Sequence, residues 1–292
     1  MTSRLSISLG NLAANYQLLC KHNQGPVAAV VKADGYGLGS VAIAQRLLRE
    51  GCETFFVATP EEGADLRSGL VAAEAEQAKI YVLSGVYSEV LPLFTRHNLT
   101  PVLNTAEQIQ TWSPLQRPAA LHFDTGMHRL GLPLQPEDFI GLPFNVELFV
   151  SHFANADERG HESIKKQQER ALSCYSVLRA HYPEIQFSLS NSAGVLNDLD
   201  VPQLARAGIA LYGGNPFVNE NNPLLPVVRL QAKVLQVRTL PPDTSVGYGA
   251  SYTTTEKTDV ATLGVGYADG VPRLLSGKGN VWFAAGRAPM VG

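Results

Sequence analysis

Short apolar runs alternate with segments of helical spacing through most of this chain, and that alternation leaves few folds open. Strand-like runs fall at 27–31, 54–58, 79–83, 100–103, 119–124, 145–153, 185–190 and 205–211. Between them, helical spacing appears at 40–50, 60–68, 88–96, 105–112 and 162–181, with a short segment after Ser192. A strand at 5–8 and a helix at 11–22, with Asn11 as its candidate cap, come first. Strands separated by helices pair in parallel through right-handed crossovers. Eight of them in roughly 200 residues fit a (β/α)8 TIM-like barrel at the lower end of its size range.

The Asn/Pro-rich stretch 215–226 reads as a linker. Beyond it no helical spacing returns. Residues 227–240 alternate between apolar and polar, and strand-like runs follow at 259–264 and 280–284, separated by Pro-Pro-Asp and Gly-rich turns. The expected organisation is a barrel over residues 1–218 and a β-rich C-terminal domain over 225–292. This second region has roughly 65 residues, near the lower limit for an independent core. It stops where Ala288-Pro289-Met290-Val291 reads as a strand just beginning, so the domain is expected to be truncated.

With 292 residues, 45% hydrophobic and 17% charged, the chain has the composition of a folded globular protein. A net charge of -3 and a sequence pI of about 6.2 offer no electrostatic footprint for nucleic acid or an anionic membrane, so small molecules are the expected partners. Cys20, Cys52 and Cys174 show neither metal-type spacing nor an even-numbered framework, which suits a reducing compartment. The N-terminus lacks the pattern of a secretory leader, and no run reaches the ~18 apolar residues of a membrane span. Cytoplasm is the expected location.

The run 27–31 has the length and β-branching of a fully buried strand, and Lys32 follows it directly. A parallel strand delivers its last side chain to the carboxyl edge of the sheet or barrel, where sites in α/β folds lie. A lysine there can act as an amine nucleophile toward an aldehyde. Gly35, Gly37 and Gly39 allow close backbone approach to a ligand, and Tyr36 adds a hydroxyl. Two plainer readings remain open on the pattern alone: a loop that only turns the chain, and a lysine reaching to water. The spacing is GxGxG rather than the GxGxxG of a dinucleotide loop.

The whole string VVKADGYGLG resembles the pyridoxal 5'-phosphate attachment motif of alanine racemases. In that family the lysine carries the cofactor covalently and the tyrosine four residues on contacts its phosphate, which implies these roles for Lys32 and Tyr36. Leu38 stands where many members have histidine. Further strings match in the family's order and cover almost the whole chain. DTGMHRLG at 124–131 implies that Arg129 binds the substrate carboxylate, as a planar and permanently charged fork is suited to do. A lysine seven residues before that arginine is sometimes carbamylated in the family. Here that position is His122.

SHFANAD at 151–157 implies that His152 lies beside the cofactor ring, and SNSAG at 190–194 implies phosphate contacts from Asn191 and Ser192. RAGIALYG at 206–213 implies that Arg206 faces the pyridine nitrogen while the amides of Gly208 and Ile209 hold phosphate. A guanidinium keeps its proton, so it leaves the ring a weaker electron sink, which fits racemisation better than transamination. VGYGASY at 246–252 implies that Tyr248 is the second acid/base, acting across a homodimer interface opposite Lys32. GVGYADG at 264–270 implies Tyr267 near the substrate entrance, with Asp157 and Arg273 further out.

The resemblance therefore implies racemisation of L-alanine and D-alanine by two bases, supplying D-alanine for cell-wall peptidoglycan, with no metal. Two alternatives are carried with it. One is a non-catalytic barrel that binds pyridoxal phosphate, or an inactive racemase fragment. The other is a decarboxylase of basic amino acids, against which stands Arg206 where those enzymes place an acid.

Overall fold

The computed structural model describes residues 2–73, 75–197 and 203–292. Two compact units result. One is Ile7–Val227, and the other joins the N-terminal residues up to Ser6 to Val228–Gly292. The expected boundary at 218–225 thus lies just before the observed division, and the first residues go with the second unit.

After β1 (Ser3–Ile7) and α1 (Leu9–His22), the first unit runs β2 (Val27–Val30), α2 (Ser40–Leu48), β3 (Thr54–Val57), α3 (Pro60–Val71), β4 (Lys79–Val82), α4 (Leu91–Arg96), β5 (Thr100–Leu103) and α5 (Ala106–Trp112). It continues with β6 (Ala119–His122), β7 (Val146–Val150), α6 (Glu162–His181), β8 (Gln186–Ser188), α7 (Ser192–Leu196) and β9 (Ala205–Ala207). The eight strands form one sheet in the order β8-β7-β6-β5-β4-β3-β2-β9, and every pair is parallel. Between β8 and β9 the ring is joined by two backbone bonds, Leu204 N–H to Phe187 O and Arg206 N–H to Ser190 O, both 2.9 Å.

The alternation of side chains along each strand separates two buried layers. Ala28, Val30, Phe56, Tyr81, Val102, Ala120, Leu148 and Val150 fill the inside of the ring. Their neighbours, among them Val27, Ala29, Phe55, Val57, Ile80, Leu121 and Phe149, pack outward with residues of the helices. Both faces are therefore apolar, which is why the strand runs read as continuous. At the amino end of the ring, Glu147 accepts from Tyr81 Oη at 2.9 Å and pairs with Lys79 Nζ at 2.6 Å.

Three local readings change. Ser8, not Asn11, caps α1, because its Oγ accepts from Asn11 N–H at 3.2 Å. The Asn11 side chain instead donates to Pro226 O at 2.7 Å, and Asn15 bonds Leu225 through both its amide atoms. The stretch read as a linker is thereby pinned to α1. Finally, the last strand ends at Ala207, and Ile209–Tyr212 turns into a 3-10 helix whose first amides serve Ser192 rather than a neighbouring strand.

In the second unit β10 (Val228–Ala232) pairs with β1, and β11 (Val234–Leu240) runs antiparallel to β14 (Thr258–Leu263). Short hairpins join β12 (Ser245–Val246) to β13 (Tyr252–Thr253) and β15 (Asn280–Phe283) to β16 (Gly286–Pro289). Leu230, Val234, Leu235, Val237, Trp282 and Phe283 are all exposed, and the apolar clusters of the chain contain no residue beyond Val227 among those described.

Candidate active site

Lys32 emerges at the carboxyl end of β2, half-buried, and the chain then makes a left-handed turn. Ala33, Asp34, Gly35 and Tyr36 have φ of 51°, 50°, 63° and 58°. Left-handed backbone costs non-glycine residues roughly 1–2 kcal/mol each, so neighbouring groups must hold the turn. Asp34 Oδ1 accepts from Ser40 N–H at 2.8 Å and Ser40 Oγ at 3.0 Å, and Glu62 Oε1 accepts from Ala33 N–H at 2.9 Å. Gly35 is required by space, since a Cβ there would lie 2.7 Å from Ile43 Cδ1.

The turn carries Tyr36 over the loop after β9. Its ring packs on Tyr212 with centroids 4.5 Å apart, and Tyr212 Oη donates to Val30 O at 3.0 Å. Below it, Ser192 Oγ accepts from Gly208 N–H at 2.9 Å and Ala210 N–H at 3.2 Å. Asn191, the cap of α7, accepts from Gly194 N–H at 3.0 Å. The side chain of Ile209 is exposed. Tyr36, Asn191, Ser192, Gly208 and Ile209 are thus gathered at one rim, around a helix start and adjacent amides, an arrangement suited to an anion.

Arg206 points from β9 toward the same end and is fully buried. It donates to Ser188 Oγ, to Ser151 O, and to His152 Nδ1 at 3.1 Å. Burial, and then the nearby charge of Arg129, push its pKa down to about 9. Arginine only donates, so His152 Nδ1 must accept. Burial, followed by the positive charges of Arg206 and Arg129, holds the His152 imidazole well below its ordinary pKa, and it is neutral. Asn191 Nδ2 lies 3.4 Å from its Nε2.

His122 ends β6. Its Nδ1 lies 2.7 Å from Asn104 Oδ1, while Asn104 Nδ2 donates to Leu83 O and Val102 O. The asparagine oxygen is therefore the acceptor, and His122 carries its proton on Nδ1. Burial, with Arg206 next, pushes its pKa down to about 4. Arg129 is exposed and has no hydrogen-bond or ion-pair partner among the described residues. Its loop is shaped by Asp124, whose carboxylate accepts from the amides of Gly126, Met127 and His128.

Several supporting residues escaped the sequence reading. Gln167, buried on α6, accepts from Ala154 N–H and donates to His152 O, both at 2.9 Å, fixing the backbone on either side of Phe153. Gln203 Oε1 accepts from Leu189 N–H and Ser190 N–H, shaping the approach to Asn191. Gln203 is a polar residue among apolar neighbours in the sequence, a contrast that could have marked it, whereas Gln167 stands within the polar run KKQQER at 165–170 and carries no such signal.

Tyr248 and Tyr267 lie in the second unit, 92% and 74% exposed. Tyr248 sits in a short 3-10 turn in which Gly249 has φ 72°. No cluster of metal ligands occurs among the described residues.

Among the described residues the barrel end thus offers a lysine without an acidic partner, a buried guanidinium without a carboxylate, and a backbone loop at 208–210 gathered on Ser192 Oγ. A Cβ on Gly208 would fall 2.5 Å from Tyr36 Oη, so the glycine lets the Tyr36 hydroxyl approach this backbone. Such a donor set suits an aldehyde that also carries an anionic group, and defines a barrel of the cofactor-binding class. The sequence matches the descriptions "Alanine racemase, N-terminal domain" over residues 7–216 and "Alanine racemase, C-terminal domain" over 227–292. The chain belongs to the alanine racemase family. It is 41% identical to a catabolic alanine racemase of Rhizobium johnstonii, covering 100% of this chain and 79% of that relative. Identity to an alanine racemase of Methylobacterium sp. is 40%, covering 99% and 81%. Among solved structures, alanine racemase from Bartonella henselae with covalently bound pyridoxal phosphate superimposes with a TM-score of 0.85 at 34% identity, over 99% of this chain and 82% of that one. The biosynthetic alanine racemase from Pseudomonas aeruginosa gives 0.86 at 31%, over 99% and 82%.

Proposed function

We propose that this chain interconverts L-alanine and D-alanine with pyridoxal 5'-phosphate, the cofactor of its family, using Lys32 and Tyr248 as the two acid/bases. The observation that carries this reading is the gathering of Lys32, Arg206 and His152, without a carboxylate partner among the described residues, beside the loop in which Ser192 Oγ accepts from Gly208 and Ala210. When bound, the cofactor supplies an electron-withdrawing ring conjugated to the substrate α-carbon. Lys32 Nζ would be the covalent attachment point, and Tyr36, Asn191, Ser192 and the Gly208 and Ile209 amides would hold the phosphate. Arg206 retains its proton at neutral pH, with neutral His152 accepting from it, and would be the group offered to the ring nitrogen.

Arg129, whose guanidinium has no acidic partner among the described residues, takes the substrate carboxylate as a two-pronged donor. Tyr267 stands at the substrate entrance. Inversion requires a proton to leave one face of the α-carbon and another to arrive on the opposite face. Lys32 would hold or release the proton on one face, and Tyr248 on the other. The near-complete exposure of Tyr248 in a single chain supports its contribution across a homodimer interface. The D-alanine product is assigned to peptidoglycan synthesis. Cys20, Cys52 and Cys174 are unpaired, which supports a cytoplasmic setting.

The test is incubation with pyridoxal phosphate and L-alanine in heavy water. Deuterated D-alanine is expected, and is expected to disappear in Lys32→Ala and Tyr248→Phe. Firm cofactor attachment to Lys32 with no D-alanine would replace the reading by a non-catalytic cofactor-binding barrel. Release of carbon dioxide from lysine or ornithine would replace it by a decarboxylase.

A further inference from the structure

Two helices of the barrel begin with the Thr-x-x-Glu/Gln spacing of a capping box: Thr59 to Glu62 on α3, and Thr105 to Gln108 on α5. In each, the threonine accepts from the amide three residues on, at 3.3 Å. A capping box would return the Glu or Gln side chain to the threonine amide. Neither does so here. Glu62 Oε2 accepts from Ala58 N–H at 2.8 Å, one residue before the cap, and Oε1 crosses to Ala33 N–H on the preceding rim turn at 2.9 Å. Gln108 Oε1 accepts from Asn104 N–H at 2.8 Å, and its Nε2 crosses to Ser84 O on its own preceding rim turn at 2.9 Å.

The two braces differ in what they meet. Gln108 bridges one amide N–H and one carbonyl, which calls for an acceptor and a donor. Glu62 bridges two N–H groups, which calls for two acceptors and therefore a carboxylate. A carboxylate at the start of α3 needs no distant partner to be favourable there, since the helix end itself attracts it. Its reach to Ala33 instead serves the turn. Ala33 follows Lys32 directly and is the first of four consecutive left-handed residues, a conformation that persists only when its surroundings over-determine it.

We propose that Glu62 is the positioning residue for Lys32, setting the amine at the carboxyl end of β2 by clamping the Ala33 amide to the end of β3. This rests on the reading of Lys32 as the cofactor attachment point. Glu62→Gln keeps size and helix context but turns an NH2 toward one of the two N–H groups. Thr59→Ala removes the cap of the same helix and leaves the clamp intact.

Cofactor-free protein is mixed with pyridoxal phosphate, uptake is followed by the visible absorbance of the bound cofactor, and attachment is mapped by borohydride reduction and peptide analysis. Uptake at Lys32 is expected to be about tenfold slower in Glu62→Gln, the factor that loss of one charge-assisted hydrogen bond supports. Thr59→Ala is expected to load at the wild-type rate although its thermal midpoint falls as far or further. Equal slowing in both variants, or wild-type loading in Glu62→Gln, overturns the inference. Amide hydrogen exchange on the wild-type protein tests it without any variant: Ala33 must be protected comparably to Ala58, and free exchange at Ala33 overturns it. No uptake at Lys32 in the wild type would instead remove the functional reading, and this inference with it.

Discussion

Gly208→Ala places one methyl group in a space whose dimensions are known. Its Cβ would lie 2.5 Å from Tyr36 Oη, with the next neighbours, Tyr36 Cζ and Val30 Cβ, at 3.5 and 3.7 Å. Only the hydroxyl is too close, and the Tyr36 ring is constrained against Tyr212. Overpacking of this kind costs about 2 kcal/mol. Tyr36 Oη makes no hydrogen bond among the described residues, so Tyr36→Phe alone should cost under about 0.5 kcal/mol. In the double variant the nearest atom is at ordinary contact distance, and the cost of the alanine should almost vanish. Any backbone cost of alanine is common to both backgrounds and cancels in the cycle. A coupling of about 2 kcal/mol is therefore expected, seen as a drop of roughly 4–8 °C for Gly208→Ala that Tyr36→Phe restores. Thermal and denaturant unfolding of the cofactor-free protein measure it. Additivity of the two changes to within about 0.5 kcal/mol would refute the proposed contact between this loop and the lysine turn.

Ser192→Ala strands two buried amides, Gly208 and Ala210, and should cost about 2 kcal/mol in unfolding experiments; no loss would mean that these amides find other partners. Tyr81→Phe removes a buried donor from Glu147 but leaves Lys79 in place, so a loss of about 1.5 kcal/mol with little change in cofactor uptake is expected. His122 and His152 both have pKa values lowered on folding, so the unfolded chain binds protons that the folded one refuses. Stability should then be intact above the ordinary histidine pKa of about 6.5 and fall as pH drops toward the folded value of about 4 for His122. Denaturant midpoints across this range check it. His122→Gln, which keeps a donor for Asn104 Oδ1, should flatten the slope, whereas stability rising on acidification would contradict the assignment.

The barrel was legible because its strands are buried on both faces and its longest helix is amphipathic; the helix at 162–181 is found with those limits. Strand ends were read too long at 119–124, 145–153, 185–190 and 205–211. Apolar pattern reports burial rather than pairing: Phe153 and Leu189 are buried in rim loops, and Leu211 in the 3-10 helix after β9. The place of Lys32 followed from its position after a buried run. The left-handed turn did not, because Ala33 and Asp34 carry no mark of it. Glu62 and Gln108 stood in a visible capping pattern, yet their far partners are amides and carbonyls of other loops, to which sequence spacing is blind. Gln167 and Gln203 are hidden for the same reason.

The sparse joint between β8 and β9 gives ligand binding a second meaning. Asn191 and Ser192 stand on one bank of that joint and Arg206 and Gly208 on the other, so a group held by both banks is a rivet in the wall. Saturation at a hundredfold over its dissociation constant would add about 2.7 kcal/mol to the folded state. Because such a group would bridge a joint made by two backbone bonds, that increment would bear on separation of β8 from β9. Cofactor supply would then govern the lifetime of the chain against proteases as well as its chemistry.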